Sequence, residues 1–234
     1  MTFLNHKEPL FQKKPQELDF QDLYGSLSFN YQLKGLKLSL GTYTRIDQVF
    51  LVWGILCGMM FTTAQFLPIS WQTQAMVWSI VTIVGTLAMV LLTRFWVKVE
   101  RLVWVLYFWV LLMLLGVAVT DLAIFLGWGS VLLNLCPMWL GITGIGYLAT
   151  GIGTRSRSLG IASLVHFIAI AFLPQVPTLP FLTTGIVMTV TCLVFAQVQW
   201  DMRSPIDYAM LTVQQKQFNQ LQHQLRQTMS ILES

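Results

Sequence analysis

Charge is scarce in this chain. Asp, Glu, Lys and Arg make up 10% of its 234 residues, against 55% that are hydrophobic, whereas a soluble domain carries about 25% charged residues. So little polar surface excludes a water-soluble globule and points to a membrane. Cysteine is scarce too. Cys57, Cys136 and Cys192 show no CxxC spacing and no neighbouring ligand residues, which argues against a zinc or disulfide framework and leaves three small apolar fillers. The chain contains no HExxH and no nucleophile beside a base, and Gly151-Ile-Gly153-Thr154-Arg155-Ser156-Arg157 lacks the order of a phosphate-binding loop. The expectation is a protein that is not an enzyme.

What is present is a set of long apolar stretches: Val49 to Leu67, Ala75 to Leu92, Leu102 to Phe125, Val131 to Thr150, Leu159 to Leu173 and Phe181 to Val198. Each approaches the ~20 apolar residues that a membrane-crossing helix needs, and the runs are continuous rather than alternating, which disfavours a β-barrel. The first, third and fifth connections hold no Lys or Arg. The second holds Arg94, Lys98 and Arg101, the fourth Arg155 and Arg157, and the tails hold the rest of the 14 basic residues. Because Lys and Arg resist translocation, this alternation predicts an all-α polytopic membrane protein of about six transmembrane helices with both termini cytoplasmic. The net charge of +4 is spread along that inner rim, so it predicts contact with membrane lipids and not with nucleic acid.

Three parts follow: residues 1–48 as a partly surface-lying N-terminal segment, 49–200 as the transmembrane domain, and 201–234 as a cytoplasmic C-terminal helix. In the first part, Phe29, Tyr31 and Leu33 alternate with polar residues, as do Leu36, Leu38 and Leu40 after Lys34-Gly35. A hairpin and an amphipathic surface helix both fit that pattern. In the last part, Ser204-Pro205-Ile206-Asp207 has the form of a helix start, with Ser204 as N-cap and Asp207 closing a capping box. Leu211, Phe218 and Leu225 recur every seven residues, with Leu221 beside them, which predicts an amphipathic helix with a face for a partner protein, a second copy or the inner membrane surface.

Two ionisable residues lie within the spans. His166 sits near the middle of the fifth, sharing a helix face with the small residues Ala162, Ser163 and Ala169, so it is expected to face the bundle interior. As function, it is an axial ligand for haem or chlorophyll, or part of a proton path; as structure, it is a neutral imidazole hydrogen-bonded to a neighbouring backbone or hydroxyl group. A relay needs further acids or histidines in the spans, and His6 and His223 lie in the tails; the structural role is favoured. Asp121 and Asn134 flank the turn Leu126-Gly-Trp-Gly-Ser130 at equal depth, which predicts that the Asn134 amide donates to the Asp121 carboxylate. The GxxxG run from Gly54 to Gly58 and the glycines of the fourth stretch suit close helix packing.

Asp121-Leu-Ala-Ile-Phe-Leu-Gly-Trp128, Leu135-Cys-Pro-Met-Trp-Leu140 and Gln199-Trp-Asp-Met-Arg203 resemble a group of uncharacterised multi-span membrane proteins of cyanobacteria. That resemblance covers about the C-terminal half and implies a plasma or thylakoid membrane, with no activity and no site residues. The leading expectation for function is a membrane scaffold or assembly factor that engages a membrane protein complex, or itself, through its helices and tails. A small-solute or ion transporter or channel is the second, distinguished by a wet path joining His166 and Asp121. A pigment- or haem-binding protein is the third.

Overall fold

The computed structural model of the chain describes residues 9–14, 17–33, 36–203 and 210–232. Six helices are long and apolar enough to cross a membrane: α2 (Arg45–Phe66), α3 (Trp71–Val99), α4 (Val103–Leu126), α6 (Leu135–Thr154), α7 (Arg157–Phe172) and α8 (Pro180–Gln197). This is an integral membrane protein. The short helices α1 (Phe20–Leu23) and α5 (Gly129–Leu132), a 3-10 turn at Leu173–Gln175, the strands β1 (Phe11–Gln12), β2 (Leu27–Leu33), β3 (Leu36–Tyr43) and β4 (Gln199–Trp200), and the helix α9 (Val213–Leu232) complete the described elements.

Local chemistry sets the helix ends. Thr44 caps α2 in a complete capping box with Asp47, Ser70 caps α3 through the Thr73 amide, and Ser156 caps α7 through the Leu159 amide. Gly127 closes α4 at φ 69°, a conformation that glycine takes without steric cost. The sixth-numbered helix starts four residues later than the apolar run suggests, because residues 129–132 wind into a separate turn and Pro137 sits in the first turn of α6, where its missing N–H costs no helical bond.

Packing follows the rule for helices in lipid, where burying Leu or Ile between helices gains little over leaving it in acyl chains. On α3 the large residues Ile80, Val84, Leu87 and Leu91 are exposed, while Thr82, Gly85, Thr86 and Thr93 are buried. Two of the buried threonines return their hydroxyls to the carbonyl one turn back, Thr86 to Thr82 and Thr93 to Met89, each at 2.8 Å. Helices α2, α3, α4, α6 and α8 form a closed ring of neighbours, and α7 packs behind α6 and α8. The most extensive contact is α2 with α8. The GxxxG run faces this partner within the chain: a Cβ on Gly54 would lie 3.2 Å from Cys192 Cβ, one on Gly58 3.2 Å from Thr189 Oγ1, and Thr189 donates to the Gly54 carbonyl at 3.2 Å.

The tails meet at the end of the bundle that carries Arg94, Lys98, Arg101, Arg155 and Arg157, here termed the basic end. Strand β1 pairs antiparallel with β4, Phe11 opposite Trp200. Strands β2 and β3 form the hairpin, one of the two alternatives that the alternating pattern left open, with Leu33 opposite Leu36, Tyr31 opposite Leu38 and a bulge between Ser28 and Asn30. The Lys34-Gly35 turn and the Ser204 to Asp207 helix start fall outside the described residues; the described part of the C-terminal helix begins at Val213.

Gly185 of α8 is the narrowest point of the α2–α8 contact, since an added Cβ would stand 2.7 Å from Phe61 Cβ. Gly185→Ala is expected to destabilise the protein by roughly 1–3 kcal/mol, because two helix backbones must separate to admit it. Gly160→Ala, whose Cβ meets nothing within 4 Å, should be neutral or stabilising by up to about 1 kcal/mol. Thermal unfolding of both variants in the same detergent makes the comparison, and equal midpoints would refute this account of the interface.

Candidate functional site

The ring of five helices lines a partly open cavity of about 240 Å³. Along α3 its wall is Trp71, Gln74, Ala75, Trp78, Ser79 and Thr82, then Met89, Thr93, Trp96 and Val97, a spacing of three and four residues that keeps one helix face turned inward. From Gln74 to Trp96 this face runs for about 33 Å at 1.5 Å per residue, close to the thickness of a bilayer core. Opposite it stand Phe50, Trp53 and Cys57 of α2, Trp109 and Met113 of α4, Trp139 and Tyr147 of α6, and Met188 of α8. Trp71 and Phe181, with ring centroids 5.4 Å apart, meet at the far end, and Trp96, Leu102, Leu159 and Trp200 lie at the basic end.

Most polar groups in this wall are satisfied within the protein. The Trp109 indole donates to Thr150 Oγ1 at 2.9 Å, and the Trp139 indole to Thr120 Oγ1 at 3.2 Å. Thr143, Thr150 and Thr154 each donate to the carbonyl four residues earlier at 2.8 Å. Apart from Gln74, what remains toward the cavity is aromatic and aliphatic surface, a lining suited to an apolar guest.

A clasp closes the basic end. Its first part binds the N-terminal segment: Lys14 donates to the Ala196 carbonyl and pairs with Asp47, both at 2.7 Å, while its ammonium lies 4.7 Å from the centre of the Tyr43 ring. Farther along, the Trp96 indole donates to Asp22 at 2.9 Å, so a residue of the cavity wall also holds this segment. Gln21 donates to Glu100 at 3.2 Å and accepts from Asn219 of α9 at 3.0 Å; Asn219 in turn accepts from the Phe20 backbone amide at 2.7 Å. Asp19 pairs with Arg226 at 2.7 Å and lies 3.1 Å from His223, and Arg226 also donates to the Glu17 carbonyl.

The second part lies after α8. Arg203 pairs with Glu100 at 3.1 Å and donates to the Glu100 and Gly153 carbonyls. Asp201, fully buried, accepts from the Arg157 and Ser158 amides, the Ser156 and Ser158 hydroxyls and the Arg157 guanidinium. Burial works against its charge, yet these donors at the start of α7 outweigh it and hold the carboxyl below its usual range.

The residues singled out from sequence are distributed differently. His166 is fully buried, as its small-residue face implies, with Nδ1 2.8 Å from the Ala162 carbonyl and its ring 5.1 Å from that of Tyr147. That bond makes Nδ1 the donor and leaves Nε2, which has no partner, as a lone-pair atom. The chemistry suits a haem or chlorophyll ligand, but the space does not: His166 lies on α7 behind the ring, and the cavity wall does not include it. Asp121 does not meet Asn134. Its carboxylate accepts from Ser79 of α3 at 2.8 and 2.9 Å, and the Asn134 amide donates to the Ser130 carbonyl at 2.8 Å. The turn of α5 is the cause, since it places Asn134 as the residue preceding α6 while Asp121 faces α3. On the C-terminal stripe, Leu211 is buried and Phe218 half-buried, whereas Leu221 and Leu225 are 53% and 43% exposed. The face of α9 that docks on the protein is the polar one, carrying Asn219, His223 and Arg226.

Sequence reading misses Asp22, Glu100, Asp201 and Arg203 as a connected group. The available signal is that nine of ten acidic residues, all but Asp121, lie in the segments that also carry the basic ones. No family model, curated protein or solved structure matches the chain.

Asp22 makes the clasp responsive to pH. Burial, then the neighbouring Asp19 and Glu100 carboxylates, push its carboxyl up from 3.8 to about 7, against the pull of Trp96 and Arg226. Between about pH 4 and pH 7 the folded chain keeps a proton that an unfolded chain has released, so attachment of the segment weakens as pH rises through that window. Hydrogen exchange of residues 17–24, corrected for intrinsic rates, should show less protection at pH 8 than at pH 6, with Asp22→Asn flattening the difference. A wild-type profile that is already flat would remove Asp22 as its source.

Proposed function

We propose that this protein holds an apolar molecule inside the bilayer, in the cavity ringed by α2, α3, α4, α6 and α8, with its basic end toward the cytoplasm. The single observation that carries the reading is the aromatic and aliphatic wall spanning the bilayer core beside α3. Transfer from lipid into such a cavity gains nothing from the hydrophobic effect, so selection rests on shape and dispersion contact, which rigid indole rings provide over a large area. An ion path is less well supported, because His166 and Asp121 stand outside this wall and an ion would meet almost no ligating group along it. The Lys and Arg of the basic end support the orientation.

Protein purified in mild detergent should release, on solvent extraction, one class of apolar molecule in near-stoichiometric amount. Thr82→Phe and Thr143→Phe fill the cavity from two different helices, and each should deplete that molecule several-fold. Two folded variants that keep it, or an extract that merely mirrors bulk membrane lipid, would overturn the proposal.

A second reading, membrane scaffolding, is favoured by one observation: Leu221 and Leu225 remain exposed although α9 is docked through its other side. Burial of such side chains contributes roughly 1.5–3 kcal/mol each before ordering costs. Replacing Phe218 and Leu225 by Ser should then abolish co-purification of a partner or of a second copy. Unchanged co-purification would discard this reading without touching the cavity.

A further inference from the structure

Resting on the cavity reading above, we infer that the guest is a long-chain alcohol whose hydroxyl is seated by Gln74 at the end of the cavity remote from the basic clasp. Gln74 lies in the first turn of α3, is 6% exposed and forms part of the cavity wall. Its Nε2 donates to the Ile69 carbonyl at 3.0 Å, which fixes the orientation of the amide, and its Oε1 has no partner. A buried carbonyl oxygen without a donor is costly in an apolar setting. The neighbouring polar groups offer no remedy. The Ser79 hydroxyl proton is committed to Asp121, at 2.8 and 2.9 Å, so Ser79 has only lone pairs left to offer.

The unmet demand at this end is therefore for a hydrogen-bond donor. Carboxylate, phosphate, ester and ketone groups bring only acceptors and would leave the Gln74 Oε1 without a donor. An ammonium would bring donors at the cost of a charge among Trp71, Trp78 and Phe181. A neutral hydroxyl satisfies Oε1 without either penalty, and the cavity face from Gln74 to Trp96 accommodates the chain attached to it.

The test uses the full chain in detergent and two probes, a bromine-labelled long-chain alcohol and its methyl ether, with tryptophan quenching as the readout. The wild type should bind the alcohol about tenfold more tightly than the ether, the effect of one neutral hydrogen bond. Gln74→Leu should bring the alcohol to the level of the ether and leave the ether unchanged. Equal quenching by both probes in the wild type overturns the hydroxyl assignment while leaving the cavity reading intact, and that comparison stands even where Gln74→Leu does not fold. Quenching by neither probe overturns the cavity reading itself.

Discussion

Inside a bilayer an apolar side chain gains almost nothing by exchanging lipid for protein, and the whole architecture depends on that constraint. Association must come from close backbone approach and from hydrogen bonds, and the chain supplies both on α8. Gly185, Thr189 and Cys192 form a ladder that meets Phe61, Gly58 and Gly54 of α2. This contact joins the last span to the first and so closes the ring. With the ring closed, indoles of α2, α3, α4 and α6 line its interior, and those of Trp109 and Trp139 lie over Gly146 and Gly116 of the facing helix. The cavity follows from where the small residues are: the helices are tight at α2–α8 and at α6–α7, where Gly151 would bring a Cβ within 3.2 Å of the Gly160 nitrogen, and the space left inside the ring is lined by indoles.

The basic end obeys a different rule. There the chain leaves the lipid, and buried polar groups are tolerated because each is matched. Asp201 has five donors, and Arg203 donates to a carboxylate and to three backbone carbonyls. Arg203 and Asp201 pull the exit of α8 onto the α3–α4 and α6–α7 connections, so the positive residues of the rim are organised by a smaller number of buried carboxylates. Burial, only partly offset by Arg203 and Gln21, keeps the Glu100 carboxyl above its ordinary value, which places two raised acids, Glu100 and Asp22, around Asp19.

The six spans are legible in the sequence because hydropathy and loop charge are local properties, read over about 20 residues at a time. The hairpin was legible as one of two alternatives, and Leu33 opposite Leu36 settles the backbone. The Asp121–Asn134 pair failed because counting residues from a turn assumes a plain connection, and α5 is not one. The cavity was not legible at all. Trp53, Trp109 and Trp139 look like ordinary residues of their spans until five helices are set around one axis. Nor was Gln74 conspicuous, since its significance lies in a missing partner and not in its type.

The pairing of β1 with β4 gives synthesis an unusual order. Phe20 is held by Asn219, 199 residues later, and Lys14 by Ala196, 182 residues later. At about 5–20 residues per second, the N-terminal segment waits roughly 10–40 s after its own emergence before its last partner exists. All six spans have been made by then. Residues made before any of the spans are therefore among the last to find their place, and a chain cut short before Gln199 leaves them without a strand to join, an exposed edge by which an unfinished molecule differs from a finished one.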